Sequence, residues 1–333
     1  MRFFPISILL LTIISCRTNH LATVKLNGNF GCIDKHGQFV IQPTWDWMLQ
    51  GSRNKQILVS KDSLYGFVDK RGEIIVEPKY KDANIFYEGL AAVGDGKKYG
   101  FINIKGDTVI PLIFDDIFLG FSKGLSDVTR NDSCGYIDKK GKTVIQFKYE
   151  TCYPFLSDHA TVETFDGKTL LINKQGQHFQ YDKEKHNNIR LWALNTYPGS
   201  FQTESGRGRV NEKGDTIVPP IYSSVSNFIE GRSVVELNKL WGVYDDKGKL
   251  LVKPQYENLM HFSEGLAAFK LNDKWGYIDK QGKVVIKNTY EYVGQFLNGL
   301  AYVEVKGQVG FIDKKGRTVI EPRFEINRSS KFE

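Results

Sequence analysis

Lys274 to Gly282 reads KWGYIDKQG, and the frame of this stretch, a glycine, an apolar pair, Asp or Asn, a Lys-rich turn and a second glycine, recurs along the chain. Copies begin at Gly31, Gly66, Gly100, Gly135, Gly242, Gly276 and Gly310, with worn copies at Leu170 and Gly208. Nine starts about 34 residues apart make this a repeat array, and a period of that size decides the architecture before any local assignment does.

Working outward from Gly276, each unit reads as three extended runs: Leu266 to Leu271, Trp275 to Asp279, and Lys283 to Ile286 in this copy. Asn272-Asp273-Lys274 forms the first turn. In the second, Asp279 can accept from amides two residues on, and Gly282 supplies the positive φ of a type I turn with a bulge. Asn103, Asn173 and Asn211 take the Asp position with the same chemistry. A proline and an aromatic follow, as in Pro78-Lys79-Tyr80 and Pro322-Arg323-Phe324, and the proline is expected to end strand pairing because it lacks an amide donor. A step such as Phe262-Ser-Glu-Gly265-Leu-Ala267 then leads into the next unit, leaving room for a fourth short strand around Tyr80 to Phe86.

No stretch from Leu21 to Phe324 sustains a helical apolar period, and the runs are rich in Val, Ile, Tyr and Phe. The expected fold is all-β: about nine three-stranded units in tandem, stacked as an open twisted β-solenoid. The alternative is a β-propeller. Propellers ordinarily close 4–8 blades of four strands, and this chain begins and ends on a unit boundary, so units one and nine are expected to lie far apart.

With 41% hydrophobic and 13% aromatic residues in 333, the chain can build a core and is not a disordered polyelectrolyte. Arg2, the apolar run Phe3 to Ile14 and the close Ile13-Ile14-Ser15-Cys16 resemble a bacterial lipoprotein leader. This resemblance implies a signal peptide over residues 1–15, lipid attachment at Cys16, a short linker to residue 20, and a repeat domain over 21–333. It places the protein in the cell envelope, with Arg17 after the cysteine pointing to the outer membrane facing the periplasm. Cys134 and Cys152 are candidates for a disulfide, with buried free thiols the other reading.

Lys-Trp-Gly-Tyr-Ile-Asp-Lys-x-Gly, followed by Val-Ile-x-Pro-x-Tyr and Phe-x-x-Gly-Leu-Ala, resembles the bacterial WG, or KWG, repeat over residues 21 to 326. Trp is replaced by Phe30, Tyr65, Tyr99, Cys134 and Val309. The family implies an all-β repeat domain that mediates interactions, and it carries no catalytic residues to transfer.

Six histidines share no repeat position, and no metal motif, phosphate loop or nucleophile elbow is present, so no catalytic, metal or cofactor residue is assigned. Asp34, Asp69, Asp138, Asp279 and Asp313 are explained by turn chemistry. Lys35, Lys70, Lys139, Lys174, Lys280 and Lys314 follow the turn Asp or Asn and would form a basic row along one edge. The degenerate units, about 170–214, hold a candidate binding patch of Arg190, Trp192, Tyr197, Arg207 and Arg209, residue types common at interface hot spots. The functional expectation is a lipid-anchored binding or scaffolding protein for an envelope protein or anionic envelope polymer, not for nucleic acid. The alternative is a carbohydrate-active or other hydrolytic enzyme with its site in the degenerate units.

Overall fold

The computed structural model describes residues 20–50, 56–155, 158–179, 200–210 and 216–326. Within them the fold is all-β, with no helix and no closed barrel. It consists of nine small antiparallel sheets in tandem, each of three or four strands. In the eighth unit these are a short strand Asn258–Leu259 and three long strands, Leu266–Leu271, Lys274–Asp279 and Val284–Tyr290, paired in chain order. The short strand expected between Tyr80 and Phe86 is there as Asp82–Ala83.

Both turns follow from their residues. Asn272 and Asp273 have φ of 52° and 57°, the left-handed pair that a two-residue hairpin loop requires to match strand twist. In the second turn Asp279 Oδ1 accepts from the amides of Gln281 (2.9 Å) and Lys283 (2.9 Å), and Gly282 takes φ 84°. The predicted turn chemistry therefore holds.

The proline does not end the strand as expected. Pro78 lies inside Ile74–Tyr80, and pairing resumes beyond it, with Phe67 opposite Val76 and Tyr65 opposite Tyr80. Four residues of the third strand thus span two of the second, a bulge that absorbs the missing amide donor on an edge strand. This bulge explains the first glycine of the frame. A Cβ on Gly276 would sit 2.5 Å from the Ile286 carbonyl oxygen, and one on Gly66 2.5 Å from that of Val76. Only glycine admits so close an approach.

Sheets stack through shared cores. One cluster joins Leu266, Trp275 and Tyr277 of unit eight to Val293, Phe296 and Val303 of the entry to unit nine. Comparable clusters join units one and two, two and three, three and four, four and five, six and seven, and seven and eight. An eighth joins Leu300, Phe311, Ile320 and Phe324 of unit nine to Ala22, Val24 and Ile33 of unit one.

The solenoid-like succession of sheets is thus as expected, but its ends do not lie apart. Glu325 bridges Lys25, its amide donating to the Lys25 carbonyl at 3.0 Å, so the residue after the last long strand supplies the missing edge of sheet one. Turn glycines repeat the message. A Cβ on Gly72 of unit two would meet Ile41 of unit one at 3.3 Å, one on Gly316 of unit nine would meet Ile286 of unit eight at 3.3 Å, and one on Gly37 would meet Ile320 of unit nine at 3.2 Å. Unit nine therefore precedes unit one in space as unit one precedes unit two, and the array closes in the manner of the propeller alternative. The physical reason is apolar burial, since Leu300, Phe311, Ile320 and Phe324 of unit nine and Ala22, Val24 and Ile33 of unit one cover one another, and Glu325, one residue past the unit boundary, then ties the sheet edge.

The disulfide reading is the one realised: Cys134 and Cys152 are bonded, with Cα atoms 5.9 Å apart, tying the second strand of unit four to the short strand of unit five. Cys32 is free and buried, and burial pushes its thiol up to about 12, which keeps it protonated. No helix among the described residues is long and apolar enough to cross a membrane.

Candidate functional site

In an antiparallel meander alternate connections fall at the same end of the sheet. The x-Gly step that opens units three, four, seven, eight and nine, with Glu88, Glu230 and Glu264 at its first position in three of them, therefore shares an end with the Asp-Lys-x-Gly turn, and together they form one face of the array. Latches between neighbours organise this face. Lys139 Nζ reaches Glu88 at 3.0 Å, Lys280 reaches Glu230 at 3.1 Å, and Lys314 reaches Glu264 at 2.9 Å. In each case the turn lysine of one unit holds the opening glutamate of the unit before it.

The glutamates also reach the following unit's opening step. Glu230 accepts from the amides of Glu264 (2.7 Å) and Gly265 (2.9 Å), Glu264 from Gly299 (3.0 Å), and Glu88 from Gly124 (3.1 Å). Partial burial alone would raise the Glu264 carboxyl, yet Lys314 and the Gly299 amide hold it below its ordinary value. Glu230 and Glu88 are depressed against the same burial by Lys280 and Lys139 and by their own amide partners.

The expected basic row is therefore divided. Lys139, Lys280 and Lys314 are spent on latches, and Lys174 lies 3.8 Å from Asp158. Exposed lysines one or three positions further on, among them Lys140, Lys142, Lys247, Lys249, Lys283 and Lys315, have no carboxylate within ion-pair distance among the described residues, and neither does exposed Lys35. Asp138, Asp245 and Asp279 each direct Oδ1 to two backbone amides of their own turn, so these carboxylates are held in fixed positions beside the lysines.

Of the candidate patch, Arg190, Trp192 and Tyr197 lie outside the described residues, as does Cys16. Arg207 is exposed on the strand Gly206–Val210. Arg209 is only 4% exposed and occupies the core position of its unit. In other units that position holds an aromatic against the phenylalanine entering the next unit: Tyr277 on Phe296 at 4.8 Å, Tyr136 on Phe155 at 5.0 Å. The Arg209 guanidinium lies 5.3 Å from the Phe228 ring in the same way. Its Nη1 donates to the Ser226 carbonyl at 2.9 Å, as the Tyr136 and Tyr277 hydroxyls donate to the carbonyls of Tyr153 (2.8 Å) and Gly294 (2.6 Å), each 17 residues on. Arg207 and Arg209 thus point to different tasks, one outward and one inward. The repeat frame, aligned on Gly208, places Arg209 at the tyrosine position and could have signalled this.

Sequence reasoning missed Asp127, a carboxyl 4% exposed in the first long strand of unit four, opposite Tyr136. Its Oδ1 has no hydrogen-bond partner. Burial pushes it up to about 7, against the pull of backbone amides including that of Phe118. No group of three or more His, Cys, Asp or Glu among the described residues is placed to hold a metal ion.

No curated protein matches the chain. Among solved structures it is similar to one described as the crystal structure of the eukaryotic initiation factor, at 9% identity and TM-score 0.55, covering 92% of this chain and 96% of that one. It is also matched to BamB from Moraxella catarrhalis (10% identity, TM-score 0.34, covering 90% and 89%) and to the dihydro-heme d1 dehydrogenase NirN (11%, TM-score 0.45, covering 92% and 73%). At such identities the first likeness speaks for the fold alone and the other two carry no argument. The family described as WG containing repeat matches residues 30–51, 65–99, 99–134, 135–168, 208–241, 241–275, 275–308 and 310–325, most of the closed array, and the chain belongs to it.

Proposed function

We propose that this protein is a lipid-anchored component of the cell envelope whose WG-repeat array is a binding or scaffolding surface for an envelope protein or an anionic envelope polymer. The observation that carries the reading is the turn-bearing face. Its turns are fixed by Asp side chains within units and by Lys–Glu latches between them, so exposed groups on it are held in a preorganised, repeated layout. Preorganisation of this kind lowers the ordering cost of binding. The pairing of Cys134 with Cys152 suits an oxidising compartment and favours an exported chain. Outer-membrane attachment through Cys16, facing the periplasm, rests on the leader pattern over residues 1–15.

Two measurements test the reading. Cys16→Ala is expected to move the protein from the membrane to the soluble envelope fraction, since the lipid anchor is the strongest membrane signal in the sequence. Crosslinking in intact cells through a photoreactive residue at Lys140 or Lys315 is expected to capture a discrete envelope partner. Unchanged fractionation of the Cys16 variant would remove the anchor, and the absence of any specific adduct from the turn-bearing face would remove the binding surface.

A further inference from the structure

Closure of the array places the turn of unit one beside that of unit nine, although their lysines, Lys35 and Lys315, lie nearly the whole chain apart in sequence. Arg323, in the last long strand of unit nine, donates to the Gly37 carbonyl of the unit-one turn at 2.7 Å, which fixes that turn against unit nine across the seam. Taken in spatial order, the turns of units seven, eight, nine and one carry Lys247 and Lys249, Lys283, Lys315, and Lys35. All five are exposed. None has a carboxylate within ion-pair distance among the described residues, whereas the adjacent Lys280 and Lys314 are neutralised by Glu230 and Glu264.

We infer that this arc is the binding track for an extended polyanion, a linear polymer bearing a carboxylate or phosphate on successive residues. The inference rests on the binding-surface reading above and specifies the partner's chemistry. Three features favour it over a compact ligand. The cations are spread over four consecutive units and do not converge on a pocket. The carboxylates of Asp245, Asp279 and Asp313 are tied by Oδ1 to amides of their own turns, which leaves Asp246, exposed beside Lys247, as the turn aspartate of these units that is not so held. Lys280 and Lys314, in the same turns as Lys283 and Lys315, are already held by glutamates, which fixes the backbone from which those two free lysines project. A row of cations meeting a line of anions releases counterions, so binding should weaken steadily as salt rises.

The division of the lysines into two kinds gives the test. The purified chain, from residue 17 onward, is titrated with polygalacturonate, with inorganic polyphosphate and with neutral dextran at low and physiological salt. Binding of at least one polyanion but not of dextran is expected, and the two polyanion arms decide between carboxylate and phosphate. Lys283→Glu combined with Lys315→Glu should weaken that binding about tenfold or more while leaving the melting temperature close to the parent. Lys314→Gln, one residue away, should lower the melting temperature and leave polyanion binding within about twofold. Failure of both polyanions to bind at low salt, equal binding of dextran, or an affinity unmoved by the double reversal would overturn the inference. A specific protein adduct in the cellular crosslinking experiment would then still stand, so loss of the polyanion track is distinguishable from loss of the binding surface itself.

Discussion

The carboxylate of Glu325 accepts the amide hydrogen of Gly28 at 2.8 Å, 297 positions earlier in the chain, and so caps the first hairpin turn of unit one. Glu257 does the same for Asp273 at 3.2 Å and Glu291 for Gly307 at 3.2 Å, each from the equivalent place but only 16 residues away. The contact across the seam is thus the standard contact of the repeat, made without chain continuity.

The Gly28 amide, and after it Lys25, holds the Glu325 carboxyl below its ordinary value. A depressed carboxylate pKa means stability present above the unfolded value of about 4.3 and lost as pH falls through the folded one. Glu325→Gln should therefore lower the melting temperature at pH 7 and have little effect near pH 3. Glu291→Gln serves as the internal reference. If thermal melts at pH 7 show a loss for Glu291→Gln and none for Glu325→Gln, the seam is open in solution.

Gly276→Ala should destabilise its unit by about 3 kcal/mol, the upper end of the usual range for overpacking. Its new methyl would lie 2.5 Å from the Ile286 carbonyl oxygen, a backbone atom that cannot swing aside. Gly265→Ala meets nothing within 4 Å and carries only the strain of φ +87°, about 1–2 kcal/mol. Urea unfolding of the two variants should rank them in that order, and the reverse order would remove the bulge explanation.

Asp127 makes the opposite pH prediction to Glu325. Its folded pKa is raised to about 7, so the folded chain keeps a proton that the unfolded chain releases near 4, and stability is lost as pH rises between those values. Asp127→Asn, which cannot ionise, should raise the melting temperature at pH 8 and change it little at pH 4. A parent protein whose melting temperature is flat from pH 4 to 8 in this comparison would contradict the buried carboxyl.

Reduction of the Cys134–Cys152 bond opens a loop with a sequence separation of 18 residues. Chain-entropy arguments put the loss at about 3 kcal/mol. Chemical denaturation with and without a thiol reductant, with Cys152→Ser as the permanent form, measures it. A shift confined to the reductant and absent from Cys152→Ser would point to some other reducible contact.

Much of this was legible in the sequence because the repeat writes the same local physics many times. Asp279 and Gly282 announce their turn from composition alone, and runs rich in Val, Ile, Tyr and Phe without a helical period announce the strands. What stayed hidden depended on backbone geometry or on contacts at long range. The first glycine of the frame needed the third strand's bulge before its role was visible, since no local rule distinguishes Gly276 from a chance glycine in a strand. The turn lysines are visible in sequence as a recurring position, but their partition into Lys314, held by Glu264, and Lys315, left free, needs the preceding unit in place. Arg209 was grouped with Arg207 by residue type, whereas its unit's core had replaced a tyrosine with it. The meeting of units nine and one stayed hidden because the apolar residues they share, Phe311 and Ile320 against Val24 and Ile33, look in sequence like those of any interior junction and do not name their partner.

Because the seam between units nine and one uses the same glycine packing, the same carboxylate cap and the same kind of shared core as the interior junctions, the position of the chain ends is incidental to the architecture. A circular permutant that joined residue 326 to residue 21 through a short linker and opened between units two and three would retain every contact type described. It would also change which junction must be closed at long range: the one now made over nearly 300 residues of loop would become local, and long-range closure would pass to Gly106 and Val76.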